Sequence, residues 1–245
     1  MKSAEFKKFI PTHIIGVLDR FRNAGEDAYA VGGCVRDILL GRPLNDFDIT
    51  TAALPEKTAR VFSDMKVIET GLKHGTLTVL SDSHPIEITT FRIDGGYTDS
   101  RHPDSVSFTR CLSEDLARRD FTVNAMAYNE RVGLVDEFRG ISDLHDGVIR
   151  AVGEPHRRFF EDALRIMRAF RFSAQLGFKI EEKTASAMRE CKELLKNVSA
   201  ERIFTEWKKL VSGDCSYEVI SEYKDIIEVF LPELADLTLP DRERF

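Results

Sequence analysis

Hydrophobic residues recur along the chain at two spacings. Over residues 1–25, Phe6, Phe9, Ile10, Ile14, Val17, Leu18 and Phe21 follow helical periodicity, and Gly25 stands where a helix would stop. A short apolar strand, Ala28–Val31, runs into Gly32-Gly33, and a helix over Val35–Leu40 ends at Gly41. Asp46–Thr50 reads as extended and Pro55–Phe62 as helical. Thr76–Leu80 and Ile86–Arg92 read as strands, with Asp82-Ser83-His84-Pro85 as the turn between them. Residues 94–107 are polar, with two glycines and one proline, and read as a loop. From Leu112 onward the pattern is mostly helical, broken by a short strand pair at Gly133–Phe138 and Val148–Ala151. The pattern predicts an α+β domain over residues 1–145 followed by an all-helical region, with no internal repeat and no low-complexity tract.

Composition narrows the class. The 245 residues are 42% hydrophobic and 31% charged, an ordinary globular balance with enough chain to bury a core. Apolar runs are only a few residues long, such as Ile38-Leu39-Leu40, so no membrane span is expected. The N-terminus lacks the apolar core and cleavage site of a signal peptide. Cys34, Cys111, Cys191 and Cys215 are scattered without a Cys-x-x-Cys, which predicts no disulfide framework or zinc ribbon and fits a reducing cytoplasm. The formal net charge of −6 gives no bulk basic footprint for nucleic acid, though local patches can serve. One such bias exists: residues 110–175 hold eleven Arg and no Lys, whereas residues 176–245 hold seven Lys and four Arg. The planar guanidinium fork suits phosphates and base edges, and it equally suits structural ion pairs.

Two clusters carry candidate chemistry. Gly32-Gly33 lies between a strand and a helix. There the backbone can approach a ligand closely, the helix start favours an anion, and Arg36 falls in the first turn. The same residues also make a plain strand-to-helix turn. In Asn45-Asp46-Phe47-Asp48-Ile49-Thr50, strand alternation turns Asp46 and Asp48 to one face and Phe47 and Ile49 to the core. Two carboxylates on one face repel unless a cation lies between them, and hard oxygens of this kind suit Mg²⁺ carrying substrate phosphate. A solvent-facing strand edge with two aspartates is the alternative. Glu87 is the candidate third carboxylate, on a strand expected in the same sheet.

At this point the residues resemble a known family. Gly32-Gly33-x-Val-Arg-Asp-x-Leu-Leu-Gly-Arg followed by Asp46-x-Asp48-Ile-x-Thr is similar to the catalytic signature of class II tRNA nucleotidyltransferases, the CCA-adding enzymes, with bacterial poly(A) polymerases as close relatives. Three further stretches match in order. Arg118 to Ala127 is similar to the family's RRDFTxNAxA motif, Glu161-Asp162-x-Leu164-Arg165-x-x-Arg168 to its nucleotide-selecting helix, and Ala200-Glu201-Arg202-Ile203 to the start of its fifth motif. The matches run from about residue 28 to 210.

The resemblance implies a nucleotidyltransferase-type mixed sheet with helices over 1–145, a helical neck for base recognition over 146–206, and the start of a helical body over 207–245. It implies a cytoplasmic, Mg²⁺-dependent transferase that adds C and A from CTP and ATP to the tRNA 3′ end and releases pyrophosphate. Asp46 and Asp48 would hold the metal, with Glu87 as a further catalytic carboxylate. Gly33, Arg36 and Arg119 would position phosphates and sugar, and Arg168 and Arg171 would contact the nucleotide; for Arg118 and Arg119 the alternative is a helix-start salt-bridge cluster with Glu114, Asp115 and Asp120. Poly(A) polymerase, A-only and CC-only addition remain the alternatives. Family members usually continue for well over a hundred residues into domains that grip tRNA, so a chain ending at Phe245 reads as a fragment or a short version. It is expected to bind nucleotide but hold tRNA weakly.

The helix predicted around 158–174 gives the resemblance a physical rationale. At 100° per residue, Phe160, Ala163, Leu164, Met167, Phe170 and Ala174 share one arc, and Glu161, Asp162, Arg165 and Arg168 another. The charged arc suits solvated pairs such as Glu161–Arg165. It also suits base reading, because a carboxylate accepts from an exocyclic amine while Arg donates to a ring nitrogen or carbonyl. Asp162 and Arg165 are the expected readers of C or A. Asp94–Asp104 is similar to the family's flexible loop, which bears on A addition. His74 and His102 have no partner spacing that supports catalysis, and there is no P-loop, His-Glu-x-x-His or nucleophile elbow.

Overall fold

The computed structural model describes residues 6–44, 46–81, 84–96 and 105–236. The chain divides into two compact units. One comprises residues up to Gly95 together with Ser105–Leu144; the other starts at His145.

The first unit opens with a 3₁₀ turn, Lys7–Phe9, and helix α1, Thr12–Asn23. The expected single helix is divided at Pro11, which has no N–H to continue it. Helix α1 buries Ile14, Val17 and Phe21, a one-face spacing. Strand β1 (Ala28–Val31), helix α2 (Gly33–Leu40), strand β2 (Asp48–Thr51) and helix α3 (Pro55–Val61) follow, then strands β3 (Lys66–Gly71), β4 (Thr76–Ser81) and β5 (His84–Thr90). Strands β6 (Arg92–Asp94) and β7 (Val106–Phe108) pair with each other, so the ends of the expected 94–107 loop form a hairpin; residues 97–104 lie outside the described residues. Helix α4 (Leu112–Ala117), a 3₁₀ turn at Thr122–Asn124, strands β8 (Ala127–Asn129) and β9 (Gly133–Val135), and helix α5 (Gly140–Asp146) complete the run.

Among the described residues seven strands form one mixed sheet in the order β3-β4-β5-β2-β1-β8-β9, with β2–β5 the parallel pair. Register divides it into two faces. Ala30, Ile49, Ile88 and Leu77 lie in line across β1, β2, β5 and β4 on a buried apolar face. Val31, Asp48, Glu87 and Thr78 lie in line on the other. Such alternation is the expected pattern of a sheet with one face in the core. The second face is closed farther along by a cluster of Tyr29, Val31, Phe91 and Leu116.

Two strands of this sheet escaped the sequence reading. Strand β3 is a sheet edge whose Lys66 and Glu69 break an apolar pattern, as edge strands commonly do. Strand β8 is only three residues long, follows the helix-favouring Ala125-Met126, and becomes a strand because it pairs with β1 and β9. The strand pair expected between Gly133–Phe138 and Val148–Ala151 is therefore not formed. Gly133–Val135 pairs with β8 instead.

The second unit contains β10 (Val148–Ile149), α6 (Pro155–Glu161), α7 (Leu164–Leu176), β11 (Lys179–Ile180), α8 (Glu182–Cys191), α9 (Ala200–Val211), α10 (Ser216–Glu222) and α11 (Lys224–Ile227). It is helical apart from the two-residue parallel ladder of β10 with β11. Helix α7 is its core, burying Ile166, Met167, Ala169, Phe170 and Ala174. The sequence reading drew one helix through 158–174. The backbone instead becomes extended at Asp162 (φ −149°, ψ 105°), which splits it into α6 and α7. The break resets the helical phase, so Phe159 is buried and Phe160, expected on the apolar arc, is exposed. The chain after α9 passes so close to α7 that a Cβ on Gly213 would sit 2.7 Å from the Ala174 carbonyl carbon. Among the described residues no helix is long and apolar enough to cross a membrane.

Candidate active site

Strand register builds the site. Val31 pairs with Asp48, and Asp48 pairs with Glu87, where β1 gives way to Gly32. Neighbouring strands lie about 4.8 Å apart, so the Asp48 and Glu87 carboxylates rise side by side from one face. Asp46 lies just before β2. It is exposed, Phe47 is buried, Asp48 is exposed and Ile49 is buried, which is the expected alternation, although the hydrogen-bonded strand begins only at Asp48. A cavity of about 180 Å³ opens at this point, and Asp48, Glu87 and Thr89 line it together with Arg92, Arg118 and Arg119.

The arginines are held from beneath by Asp115 of α4, which is wholly buried (0% exposed). Arg118 donates to its Oδ1 from Nε (2.9 Å) and Nη2 (2.7 Å), and Arg119 Nη2 donates to Oδ2 at 3.3 Å. The Thr50 hydroxyl of β2 also donates to Oδ2, at 3.0 Å. Burial pushes the Asp115 carboxyl up. The Arg118 and Arg119 charges and these hydrogen bonds outweigh that and hold it below the usual carboxylate range. Arg92 donates to the His74 carbonyl at 2.6 Å and ion-pairs with Asp94 at 3.0 Å, and Arg118 lies 3.7 Å from Asp94.

Gly32 meets this cluster at close quarters. Its backbone (φ 79°, ψ −129°) is open essentially only to glycine, and a Cβ there would lie 3.2 Å from Arg119 Nη1. Gly33 begins α2, whose first-turn N–H groups have no carbonyl within the helix to bond. Arg36 is buried in a different network. It donates twice to Asp37 (2.9 and 3.0 Å) and at 2.7 Å to Asn124 Oδ1, while Asn124 in turn donates to Asp120 at 3.2 Å. Arg36 thus ties α2 to the turn that follows Arg119. Cys34, behind the turn, has its thiol pushed up to about 12 by burial and then by the Asp48 charge, so it is no nucleophile at neutral pH.

In the second unit, the Arg165 N–H donates to the Asp162 carbonyl at 3.0 Å, and the two side chains reach different partners. Asp162 Oδ1 caps α7 by accepting from the Leu164 N–H (3.0 Å), and Oδ2 accepts from Arg202 of α9 (2.9 Å). Arg165 donates to Glu161 (2.8 Å) and to the Arg158 carbonyl (3.1 Å). The Glu161–Arg165 pair is the one that helical spacing predicts. It is nearly buried rather than solvated, at 12% and 11% exposed. Arg171 ion-pairs with the buried Glu206 at 2.6 Å and stacks on Phe172 at 4.0 Å, and Arg168 lies 5.4 Å from the same ring. Arg92 and Thr50 escaped the sequence reading altogether. Asp115 was named there only as an ion-pair partner of Arg118 and Arg119, a pairing the structure contains at i, i+3 and i+4 spacing, and Arg202 only as part of the fifth motif.

Among the described residues no group of three or more His, Cys, Asp or Glu side chains can hold a metal ion unaided. Asp48 and Glu87 still offer hard oxygens in a cavity shared with three arginines. Mg²⁺ typically takes one or two protein carboxylates and completes its shell with water and substrate phosphate. The donor set therefore fits a cation that arrives with a phosphate-bearing ligand.

Comparison with known proteins agrees with this geometry. Residues 28–150, half of the chain, match the family described as the Poly A polymerase head domain, and residues 177–237 match the probable RNA and SrmB-binding site of polymerase A. A CCA-adding enzyme of Ligilactobacillus salivarius is 46% identical over 233 residues, covering 95% of this chain and 56% of the relative. The crystal structure of the Bacillus stearothermophilus CCA-adding enzyme in complex with CTP superposes with a TM-score of 0.84 at 41% identity, over 93% of this chain and 56% of that one. The Thermotoga maritima CCA-adding enzyme complexed with tRNA follows with a TM-score of 0.79 at 25% identity, over 98% and 57%. The chain thus spans a little over half the length of these relatives. An acidic strand pair beside a glycine turn and anchored arginines, on a fold shared with these proteins, places the chain in the Poly A polymerase head-domain family, to which it belongs.

Proposed function

We propose that the chain is the catalytic part of a template-independent RNA nucleotidyltransferase that adds C and A from CTP and ATP to the 3′ end of tRNA. The observation that carries this reading is the juxtaposition of Asp48 and Glu87 on neighbouring strands with Arg118 and Arg119 in one cavity, next to Gly32. The relatives named as CCA-adding enzymes support the choice of substrates. All four cysteines are free thiols, which supports the reducing cytoplasm as the location.

In this reading Asp46 and Asp48 hold Mg²⁺, with Glu87 beside Asp48. When bound, the cation supplies charge neutralisation on the triphosphate and makes the RNA 3′-hydroxyl a better nucleophile. The protein's own groups do the positioning. Arg119 and the first-turn N–H groups after Gly32 face the triphosphate, where bidentate and backbone donors suit phosphate oxygens. Arg36 keeps the Gly33 turn and the Asn124 segment in register. The 3′-hydroxyl oxygen bonds to the α-phosphorus as the bond from that phosphorus to the pyrophosphate oxygen breaks. The hydroxyl proton passes to a carboxylate of this set and on to water.

Base choice falls to Asp162 and Arg165, with Arg168 and Arg171 supporting the nucleotide. A carboxylate has about four lone-pair sites, so the two bonds Asp162 makes leave room to accept an exocyclic amine. Only C and A of the four bases carry that amine at the pairing edge together with an adjacent acceptor nitrogen, which Arg165 can address. Residues 1–145 are then the catalytic head, 146–206 the neck and 207–245 the start of a body.

Incubating the chain with tRNA that lacks its 3′ end, with each of the four nucleotides separately and then with CTP and ATP together, tests the reading. CCA addition predicts C incorporation with CTP alone and a three-nucleotide extension with both. A long A tract from ATP alone indicates a poly(A) polymerase, a stop after C indicates a CC-adder, and incorporation of all four nucleotides alike removes the base-selection assignment.

A further inference from the structure

Asp115 is a carboxylate with no exposure, yet it touches two arginines that line the cavity and the strand that carries Asp48. It binds Arg118 through two donors, Arg119 through one, and Thr50, two residues along β2 from Asp48. The Arg92 backbone N–H also lies 3.4 Å from its Oδ1. One buried charge therefore ties the acidic strand to the arginines that share its cavity. We propose that Asp115 is a positioning residue for the nucleotide's triphosphate: it fixes Arg118 and Arg119 at the spacing that the phosphates require. The inference rests on the proposed function and names how that site grips its substrate.

Two physical arguments separate this from simple charge balance. Two guanidiniums held close together repel, and a buried carboxylate between them removes that repulsion in a region of low dielectric. Guanidinium recognition of phosphate is directional, because the fork must present two parallel N–H groups. Removing Asp115 adds net positive charge, which by itself attracts an anion. It also lets Arg118 move toward Asp94, now 3.7 Å away, and lets Arg119 leave the position beside Gly32. Loss of placement outweighs gain of charge, since an Arg that has swung to another carboxylate offers no fork to the ligand.

The test compares the wild-type chain with Asp115→Asn, which keeps the volume and loses the charge. Affinities are measured for CTP, for pyrophosphate and for cytidine, which has no phosphate. Losing an oriented partner of this kind costs on the order of tenfold or more, so CTP and pyrophosphate affinity should fall by about that factor while cytidine affinity stays the same. Thr50→Val removes the hydroxyl that donates to Asp115 at 3.0 Å and, more weakly, to the Thr89 carbonyl at 3.3 Å; it retains every charge and suits a strand. It should weaken CTP and pyrophosphate several-fold by the same route, and it decides the matter if Asp115→Asn fails to fold. Unchanged or tighter CTP binding in the folded variants overturns the inference, as does a proportional loss of cytidine binding, which a merely structural role would produce. A wild-type chain that binds no triphosphate overturns the functional reading and this inference with it; a wild-type chain that binds beside variants that bind equally overturns the inference alone.

Discussion

Replacing Asp46 and Asp48 together by alanine abolishes nucleotide incorporation and leaves the fold intact. Both side chains are exposed and follow the alternation that sends Phe47 and Ile49 into the core. Exposed positions of this kind change stability by no more than about 1 kcal/mol. The catalytic loss is of another order. Metal-assisted stabilisation of a phosphoryl-transfer transition state is worth several kcal/mol, and each 1.36 kcal/mol is a factor of ten. Incorporation should fall by about a thousandfold or more, with the thermal midpoint nearly unchanged. Paired measurement of primer extension and thermal unfolding checks this. Incorporation within about tenfold of wild type would remove these aspartates from the chemistry.

Gly32→Ala produces the second large effect, through the backbone. Gly32 adopts φ 79° and ψ −129°, where a side chain costs about 1–3 kcal/mol. Its Cβ would stand 3.2 Å from Arg119 Nη1, tighter than ordinary contact. Either the turn flattens, which moves the start of α2, or the guanidinium retreats from its place above the turn. Both outcomes withdraw donors from the triphosphate, so KM for CTP and ATP should rise by one to two orders of magnitude, as roughly 1.4–2.8 kcal/mol of lost binding implies. Kinetics taken well below the variant's unfolding temperature separate this from destabilisation. A variant that is less stable but keeps the wild-type KM would mean that the turn is only a structural corner.

The legible part of this protein was its local grammar. The helix stop at Gly41, the glycine turn and the in-out alternation of Asp46, Phe47, Asp48 and Ile49 are short-range features, and residue type alone sets them. Motif order made the family readable as well. What stayed hidden depends on partners distant in sequence. Glu87 was named as a candidate from sequence, but the parallel pairing of β5 with β2 that sets it beside Asp48 is a crossover that no local pattern encodes. Strand β8 is three residues long, too short to show alternation, and is a strand because β1 offers it hydrogen bonds. Asp162 breaks a helix that periodicity draws as continuous, because its carboxylate caps α7 and meets Arg202 forty positions away. Asp115 read as one of three acidic residues that could pair with Arg118 and Arg119 at a helix start. Only burial, with Thr50 and two arginines gathered around it, gives it weight.

The central claim is that this acidic strand and its neighbouring arginines hold a nucleoside triphosphate together with a divalent cation. Calorimetric titration of CTP into the chain, with and without Mg²⁺, tests it most directly, using Asp48→Asn as the comparison. The account predicts saturable binding that Mg²⁺ strengthens in the wild type, and loss of that strengthening in Asp48→Asn. Equal CTP binding in all four titrations, or none in any, would contradict it.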